Sequence, residues 1–369
     1  MNKKSTFSTL RMLLYSALVL ALVASCSNFL DFQEDIGNIK KTATYTITYN
    51  LNGGTQNPAN PANYTVETST ITLATPTRTG YAFGGWYANV GLTGTPVTSI
   101  LIGSFGTKMF WAKWTLADYT SIKIGTMRYV PAGSFQRDST ATNISIVKAF
   151  RMSECQITRA QFLDIMGTDP SNTIYSSGTT DPVQTVNWYR AIAFCNKLSI
   201  EEGLQPVYSV TDIDFSTLNY ASIPTTDNAT WNAASADWNK NGYRLPTEME
   251  WMWAAMGATS DRTNGNTGVG VNTTGYSKAF AGSTGSNAIG DYAWSSTNSS
   301  SKTHPVGTKT ANELVLRDMS GNVWEWCWDW YGSYPSGTLE SDTPAGRGAV
   351  SGVYRLLRGG VWGMQSEPA

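Results

Sequence analysis

Residues 321–330 read Gly-Asn-Val-Trp-Glu-Trp-Cys-Trp-Asp-Trp, and this stretch carries the clearest information about the fold. From Trp324 to Trp330 every second residue is tryptophan, and a period of two predicts a β-strand. The opposite face of that strand carries three other side chains, Glu325, Cys327 and Asp329. A soluble protein buries so much indole only in a large core, so Trp324 and Trp326 are expected to be structural core residues. Acids buried beside them need a cation, an arginine or backbone N–H groups as partners.

The composition excludes several classes of protein. The chain has 369 residues, a net charge of −1 and only 14% charged side chains, with 34 Gly, 14 Trp and 18 Tyr. This is typical of β-rich extracellular or periplasmic proteins and not of helical cytosolic enzymes. A net charge near zero gives no electrostatic reason to expect nucleic acid as a partner. The length allows two or three domains.

The first 26 residues have the features of a bacterial lipoprotein signal peptide. A basic start precedes an apolar run over 12–24, which is too short to span a bilayer, and the sequence Val-Ala-Ser-Cys ends at Cys26. This ending resembles a lipobox, which implies that the Cys26 thiol takes the lipid. An ordinary cleaved signal is the alternative. Because Ser27 is not the Asp that favours inner-membrane retention, we expect an outer-membrane lipoprotein with residues 27–43 as a tether.

Three further cysteines remain in an exported chain, Cys155, Cys195 and Cys327. An odd number allows at most one internal disulfide. Their spacing fits neither a CxxC metal site nor a redox pair. Since all three have apolar neighbours, we interpret them as small buried hydrophobic residues.

Residues 44–115 are predicted to form one small β domain. Alternation over Tyr45–Tyr49 leads into an Asn-Gly-Gly turn, a short strand covers 71–73, and 110–114 alternates again. The glycines of the sequence Gly-Gly-Trp-Tyr at 84–87 predict a turn. The order of the Leu-Asn-Gly-Gly, Gly-Tyr-x-Phe-x-Gly-Trp-Tyr and Ala-Lys-Trp motifs resembles the Listeria–Bacteroides (internalin-type B) repeat. The resemblance implies a β-grasp-like module that serves as a spacer or as an adhesion unit.

Residues 122–369 form a second region with strands, a few helices and long loops. Strands are predicted over 122–130 and 133–135. Capping boxes at Thr158 and Thr247 predict helices through 166 and 256, and Asn187 is expected to cap a helix over 188–202. Trp251 lies in the helix that follows Thr247 and is expected to join the aromatic core. The pattern is that of an α+β domain with much irregular chain over 257–303.

Several motifs of this region occur in the order known from one family. They are Val-Pro-Ala-Gly-Ser-Phe at 130–135, Gln-Ile-Thr at 156–158, Pro-Val-Gln-Thr-Val-Asn-Trp at 182–188, Ala-Phe-Cys-Asn at 193–196, Tyr-Arg-Leu-Pro-Thr-Glu-x-Glu-Trp at 243–251, His-Pro-Val-Gly at 304–307, Leu-Arg-Asp-Met-Ser-Gly-Asn-Val-Trp-Glu-Trp at 316–326 and Arg-Gly-Gly at 358–360. Together they resemble the formylglycine-generating enzyme (sulfatase-modifying factor) family over about two-thirds of the chain. The resemblance implies an elaborated C-type-lectin-like α+β fold.

The catalytic residues of that family are not matched. The resemblance implies a copper ion held by two cysteine thiolates a few residues beyond Gly359 and Gly360, but those positions hold Met364 and Ala369. We therefore assign no catalytic residue and do not expect copper. Family members usually continue past this point, so the chain is expected to be truncated at its C-terminus, with an open strand edge.

Calcium is expected instead. The resemblance implies that the segment around Asn322 and Glu325 supplies oxygen ligands, and hard oxygens suit calcium. A second site would use two more residues, Asn287 and Asp291. The alternative is that Glu325 pairs with an arginine of the domain, either Arg244 or Arg358.

Two other residue groups are interpreted as structural. His304 has no nucleophile or carboxylate positioned beside it in the sequence. Glu248 and Glu250 resemble a carboxylate pair, but the Thr-x-x-Glu pattern ending at Glu250 is explained by helix capping.

Two functions therefore remain. The first is a lipid-anchored surface protein whose lectin-like domain binds an extracellular protein or glycan without catalysis; some C-type-lectin-like domains of this kind are variable display proteins of diversity-generating retroelements. The second is a formylglycine-generating or related oxidase whose metal-binding C-terminus is missing. Fold alone does not decide between them.

Overall fold

A mixed four-stranded sheet forms the first of two units. A computed structural model describes residues 43–176, 178–258 and 270–363, and the chain divides between Thr115 and Leu116. The strands of the first unit are β1 (Tyr45–Asn50), β2 (Asn63–Tyr64), β3 (Ile71–Thr72), β4 (Tyr81–Tyr87), β5 (Ser99–Ile100) and β6 (Lys108–Leu116). The sheet order is β2-β1-β6-β4, with β1 parallel to β6 and Ile47 opposite Lys108. Trp86 and Phe110 lie in its core.

The turn predicted at 84–87 is wrong, because these residues form the second half of β4. Gly85 has φ +110°, and a Cβ there would lie 2.7 Å from Cβ of Pro96. Val97 donates its N–H to the carbonyl of Trp86 at 2.7 Å. The glycine therefore allows a neighbouring segment to pack tightly against the strand.

The second unit contains several small sheets. Its strands are β7 (Tyr119–Ser121), β8 (Gly125–Val130), β9 (Gly133–Gln136), β10 (Ile144–Val147), β11 (Phe150–Ser153), β12 (Tyr208–Ser209), β13 (Ser235–Ala236), β14 (Val271–Asn272), β15 (Glu325–Trp330), β16 (Leu339–Glu340) and β17 (Arg355–Arg358). They form the sheets β11-β8-β7, β14-β9-β10-β16, β12-β13 and β15-β17. In the last sheet Glu325 lies opposite Arg358 in antiparallel register.

The three predicted helices are confirmed. The helices are α1 (Arg159–Met166), α2 (Trp188–Glu201), the single turn α3 (Ala229–Asn232) and α4 (Glu248–Ala255). Thr158 and Thr247 each form the expected capping box, and Asn187 caps α2 by accepting from the N–H of Arg190. None of the helices in the described ranges is long and apolar enough to cross a membrane.

Two hydrophobic cores stabilise the second unit, and β15 lies between them. The first core gathers around α1 and α2, and Trp326 and Trp328 pack against its edge. The second gathers around α4 and includes Trp251, which is 1% exposed, and Cys327, which is fully buried. Both faces of β15 are therefore covered. Trp324 and Trp326 are half-buried, whereas Cys327 and Asp329 on the opposite face are buried. The face that carries Cys327 and Asp329 is therefore the more deeply buried one.

Candidate functional site

Arg244 and Arg358 both pair with glutamates in the first turn of α4. Arg244 makes a two-pronged contact with Glu250, with both N–O distances at 2.7 Å. Arg358 forms an ion pair with Glu248. The alternative in which either arginine pairs with Glu325 is therefore not realised.

Asp329 faces the N-terminus of α4. Its carboxylate accepts from the backbone N–H of Glu248 at 2.9 Å and from the hydroxyl of Tyr334 at 2.6 Å. Burial raises the pKa of Asp329 to about 7, although the Tyr334 bond opposes this rise. This acid is held by neutral donors and a helix terminus.

Among the described residues, Glu325 is a carboxylate without a basic partner. Its Oε2 accepts from Nε1 of Trp251 at 2.7 Å, and its Oε1 accepts from Nε2 of Gln156 at 2.8 Å. Burial raises the pKa of Glu325 to about 7, and the negative charge of Asp318 adds to the rise. Two neutral N–H donors do not compensate a desolvated negative charge, so the site favours either a proton or a cation.

Three backbone carbonyls converge on the same point. Nε2 of Gln156 lies 3.1 Å from the carbonyl oxygen of Asp318, 3.3 Å from that of Gly321 and 3.0 Å from that of Val323, in addition to its contact with Glu325. We call these three carbonyls and the Glu325 carboxylate the oxygen cradle. The other amide atom of the same side chain, Oε1 of Gln156, is buried and has no hydrogen-bond partner in the part of the chain that the structure describes.

The turn that precedes β15 shapes the cradle. Asp318, Gly321 and Asn322 have φ values of +60°, +82° and +64°, so left-handed residues curl the chain and bring successive carbonyls to one side. Glycine is required at 321, because a Cβ there would lie 2.2 Å from the carbonyl oxygen of Trp294.

The donor set of the cradle fits calcium. Backbone carbonyls and a carboxylate are the hard oxygen ligands that this ion prefers. Across the described ranges, no group of three or more His, Cys, Asp or Glu side chains is placed to hold a metal. Calcium in this domain would therefore depend on carbonyl oxygens, with Glu325 supplying the charge. A cavity of about 160 Å³ borders the cradle and shares Gln156 with it.

Asn322 organises a second feature. Its amide accepts from the N–H of His304 at 3.1 Å and donates to the carbonyl of His304 at 3.0 Å. Its backbone N–H donates to Trp294, and its carbonyl accepts from the N–H of Trp362. Asn322 is fully buried and joins three separate segments. Its side chain is therefore committed to the protein backbone and takes no part in the oxygen cradle.

The joined segments carry a partly exposed set of rings. Trp294 and His304 stack with 3.7 Å between centroids, and Nζ of Lys309 lies 3.9 Å from the Trp294 ring. The rings of Tyr175 and Trp362 are 5.3 Å apart. We call these rings, together with the neighbouring side chains of Ile174 and Lys309, the aromatic face. Its members are Ile174, Tyr175, Trp294, His304, Lys309 and Trp362. His304 is part of a stack, and its Nε2 bonds the carbonyl oxygen of Ser299 at 2.7 Å.

Family models match both units of the chain. The model described as "Sulfatase-modifying factor enzyme 1-like domain" matches residues 115–369, and the Listeria–Bacteroides repeat domain matches 45–109. The chain belongs to the sulfatase-modifying factor enzyme 1-like family. The repeat and the predicted α+β, C-type-lectin-like fold are confirmed.

The proteins that resemble this sulfatase-modifying factor domain include a chaperone, an enzyme and a variable protein by name. The chain is 34% identical over 238 residues to the chaperone protein LppX of Paenibacillus barcinonensis, covering 63% of this chain and 77% of that protein. It is 34% identical over 139 residues to the formylglycine-generating enzyme of Streptomyces coelicolor, covering 36% and 40%. The structure of Treponema denticola variable protein 1 gives a TM-score of 0.57 at 35% identity, over 67% of this chain and 88% of that one.

The cysteines of the sulfatase-modifying factor domain are separate free thiols. Burial raises the pKa of Cys155 and of Cys195 to about 12, and burial also raises the pKa of Cys327 well above its usual value. Thiols with such pKa values are poor sources of the thiolate that soft metals need. The two positions where the family resemblance places copper ligands, 364 and 369, lie outside the described residues, as does Cys26.

The residues proposed for a second calcium site serve local turns. Asn287 accepts from the N–H of Thr284 and donates to the carbonyl of Gly282. The side chain of Asp291 is exposed at the end of a short 3₁₀ turn. Neither residue contributes to the oxygen cradle. Sequence reasoning placed Gln156 in a family motif but gave it no role.

Proposed function

We propose that this protein is a lipid-anchored bacterial surface protein whose sulfatase-modifying factor domain binds a ligand through the aromatic face and does not oxidise cysteine. The observation that carries the proposal is the position of the face. Trp362 lies two residues after Gly360, where the family resemblance locates copper chemistry, and the expected cysteine positions hold Met364 and Ala369. A binding surface thus remains where the thiolate pair is lost.

The exposed side chains of the aromatic face support a protein or glycan as its ligand. Ile174 is 71% exposed and Tyr175 is 43% exposed, while hydrogen bonds hold the rings of His304 and Trp294, to the carbonyl of Ser299 and the hydroxyl of Thr308 respectively. Rigid aromatic side chains with a polar edge are favoured in recognition surfaces because little rotamer freedom is lost on binding. Lys309 adds one positive charge to the edge of the face. The nearly neutral chain offers no comparable case for nucleic acid.

The names of two relatives are compatible with binding. The relative that aligns over 77% of its length is called a chaperone, and the matching solved structure is called a variable protein. The match to the Streptomyces enzyme extends over 36% of this chain. That match keeps a formylglycine-generating oxidase as the second candidate.

Binding is tested with the full chain purified in detergent. The probes are a glycan array and immobilised collagen, fibronectin and laminin. For any probe that binds, Trp362→Ala and Tyr175→Ala should each weaken affinity roughly tenfold or more, as buried interface aromatics do. Tyr331→Ala is the matched control, since Tyr331 is 71% exposed in the same unit and lies outside the face. Equal loss in the control, or no loss in either face variant, would refute the assignment of the face.

Anchoring is proposed at Cys26. A lipid there would hold the protein at the outer membrane, with residues 27–43 as tether and the repeat as spacer or adhesion unit. Metabolic labelling with radioactive palmitate should label the wild type and not Cys26→Ser, and the label should fractionate with the outer membrane. Label retained in Cys26→Ser would contradict the proposal.

Calcium is proposed as the ion of the oxygen cradle. Glu325 and the carbonyls of Asp318, Gly321 and Val323 would hold it. Its role would be structural, since it would neutralise Glu325 and fix the turn that leads through Asn322 to the aromatic face.

A further inference from the structure

We propose that the first unit, the Listeria–Bacteroides repeat, binds the surface of a lipid bilayer through residues 101–106, which we call the apolar loop. The inference rests on the lipid anchor proposed at Cys26 and gives the repeat a specific contact beyond that of a spacer. The occupant of the loop is the boundary between the headgroups and the acyl chains of the membrane that holds the anchor.

The apolar loop exposes large hydrophobic side chains that the fold does not bury. Leu101 is 64% exposed, Ile102 is 62% exposed and Phe105 is 72% exposed. A Cβ built on Gly103 meets nothing within 4 Å, so no described residue packs against that side of the loop. Exposed apolar side chains that lie together in this way mark a surface for an apolar partner.

Backbone groups of the apolar loop are already paired within the unit. Gly103 donates its N–H to the carbonyl of Val66 at 2.8 Å, and the carbonyl of Gly106 accepts from the hydroxyl of Tyr64 at 2.6 Å. An unpaired backbone group that leaves water for lipid costs free energy. These bonds fix the shape of the loop and lower that cost, so its side chains can enter an apolar boundary without unfolding of the turn.

The chain enters the unit beside the apolar loop. β1 runs parallel to β6 with Ile47 opposite Lys108, so the start of β1 and the residues just before β6 lie at the same end of the sheet. Tyr45, the first residue of β1, pairs with Tyr64, whose hydroxyl bonds the apolar loop. The segment 27–43, which links Cys26 to β1, therefore joins the unit at the end that carries the loop.

The end of β4 contributes a further apolar side chain to this end of the sheet. Gly84 lies against Lys113, and the carbonyl of Ala82 accepts from the hydroxyl of Thr115 at 3.5 Å, so β4 runs antiparallel to β6 and ends near its start. Val90 follows three residues later and is 77% exposed. Within 43–115, the exposed large hydrophobic residues all fall between positions 90 and 109: Val90, Leu101, Ile102, Phe105 and Met109.

The anchor keeps the membrane close to the apolar loop. A segment as long as 27–43 cannot span more than about 60 Å even when fully extended, so a lipid on Cys26 confines the loop to that distance from the bilayer. Confinement raises the effective concentration of the second contact, and a weak apolar contact then suffices. Charge does not dominate here, because Lys108 and the exposed Glu67 have opposite signs.

Photocrosslinking tests the proposal with the full chain, lipidated at Cys26 and reconstituted into phosphatidylcholine vesicles. The photoreactive residue p-benzoylphenylalanine, introduced in place of Phe105, should form lipid adducts that mass spectrometry detects. The same group in place of Thr79 is the matched control, because Thr79 is exposed and lies just before β4, at the opposite end of the sheet. The adduct yield at 105 should exceed that at 79 roughly tenfold or more. Neutral lipid ensures that charge attraction does not produce the result.

A second variant separates apolar contact from proximity to the anchor. Leu101→Asp combined with Ile102→Asp keeps the tether and should lower the adduct yield at 105 roughly tenfold, because charged side chains resist entry into a membrane. An unchanged yield would overturn the proposal, and so would adducts from 105 to a second copy of the chain in place of lipid. If the variant at 105 folds poorly, the photoreactive group in place of Ile102 makes the same measurement against position 79.

The two proposals fail in different ways. Vesicles that retain the wild-type chain but give no lipid adducts at 105 or 102 would refute the bilayer contact and leave the anchor standing. Wild-type chain that separates from the vesicles on flotation would refute the anchor and the contact together.

Discussion

Replacing Glu325 with glutamine should change how stability depends on pH, and only when calcium is absent. The carboxyl is held by Trp251 and Gln156, no basic side chain of the described ranges pairs with it, and burial raises its pKa from 4.5 to about 7. The folded state thus holds this proton more tightly than the unfolded state. The resulting stabilisation is present below pH 4.5 and is lost as the pH rises through 7.

The structure sets the size of the effect. A pKa rise of about 2.5 corresponds to at most about 3 kcal/mol between pH 4.5 and pH 8. For a unit of about 250 residues this is a fall in melting temperature of roughly 6 to 12 °C. Glu325→Gln should remove this dependence. Calcium should remove it in the wild type, since the ionised carboxylate would then face a cation, and calcium should not affect the variant.

Circular dichroism melts at pH 5, 6.5 and 8, in EGTA and in calcium, measure this directly. Asp329→Asn is the matched control, because Asp329 also has a pKa raised to about 7 but lies at α4, outside the oxygen cradle. Its effect on the pH slope should be the same with and without calcium. If Glu325→Gln in EGTA keeps the full pH slope of the wild type, the reasoning about this carboxylate is refuted.

Three other substitutions test the packing of the second unit. Gly133→Ala would place a Cβ 2.2 Å from the ring of fully buried Trp253, so urea unfolding should show a loss of about 1–3 kcal/mol; a neutral result would contradict this packing. Thr247→Ala removes the buried cap of α4 and should cost about 1–2 kcal/mol in the same assay, whereas an unchanged midpoint would argue against the capping box. Lys278→Met leaves Glu313 without its 2.5 Å partner and should cost roughly 3 kcal/mol, and adding Glu313→Leu should restore part of that loss; no recovery in the double variant would argue against the ion pair.

Local signals made the helices predictable. The capping boxes at Thr158 and Thr247 and the cap at Asn187 act within one turn, so the sequence contains everything that determines them. The strand around 324–330 was also predictable from its period. Which of its faces is more deeply buried was not, because β15 lies between two cores and alternation does not distinguish two covered faces.

The oxygen cradle was only partly predictable. Glu325 could be named from its motif, but the carbonyls of Asp318, Gly321 and Val323 leave no trace in the residue letters. Gln156 reaches the cradle from 162 positions before Asp318, a distance that no local pattern encodes. Asn322 was expected to bind calcium, and its side chain instead bonds both backbone groups of His304. Side-chain chemistry alone does not show which partner a carboxamide takes.

The most direct test of the whole account is whether the purified full chain converts cysteine to formylglycine. A cysteine-containing sulfatase peptide is incubated in air with the protein and supplied copper, and its mass is followed, with a formylglycine-generating enzyme as the positive control. We predict no conversion above the protein-free blank, because Met364 and Ala369 stand where the thiolate pair is expected. Turnover that depends on this protein would contradict a binding role for the domain.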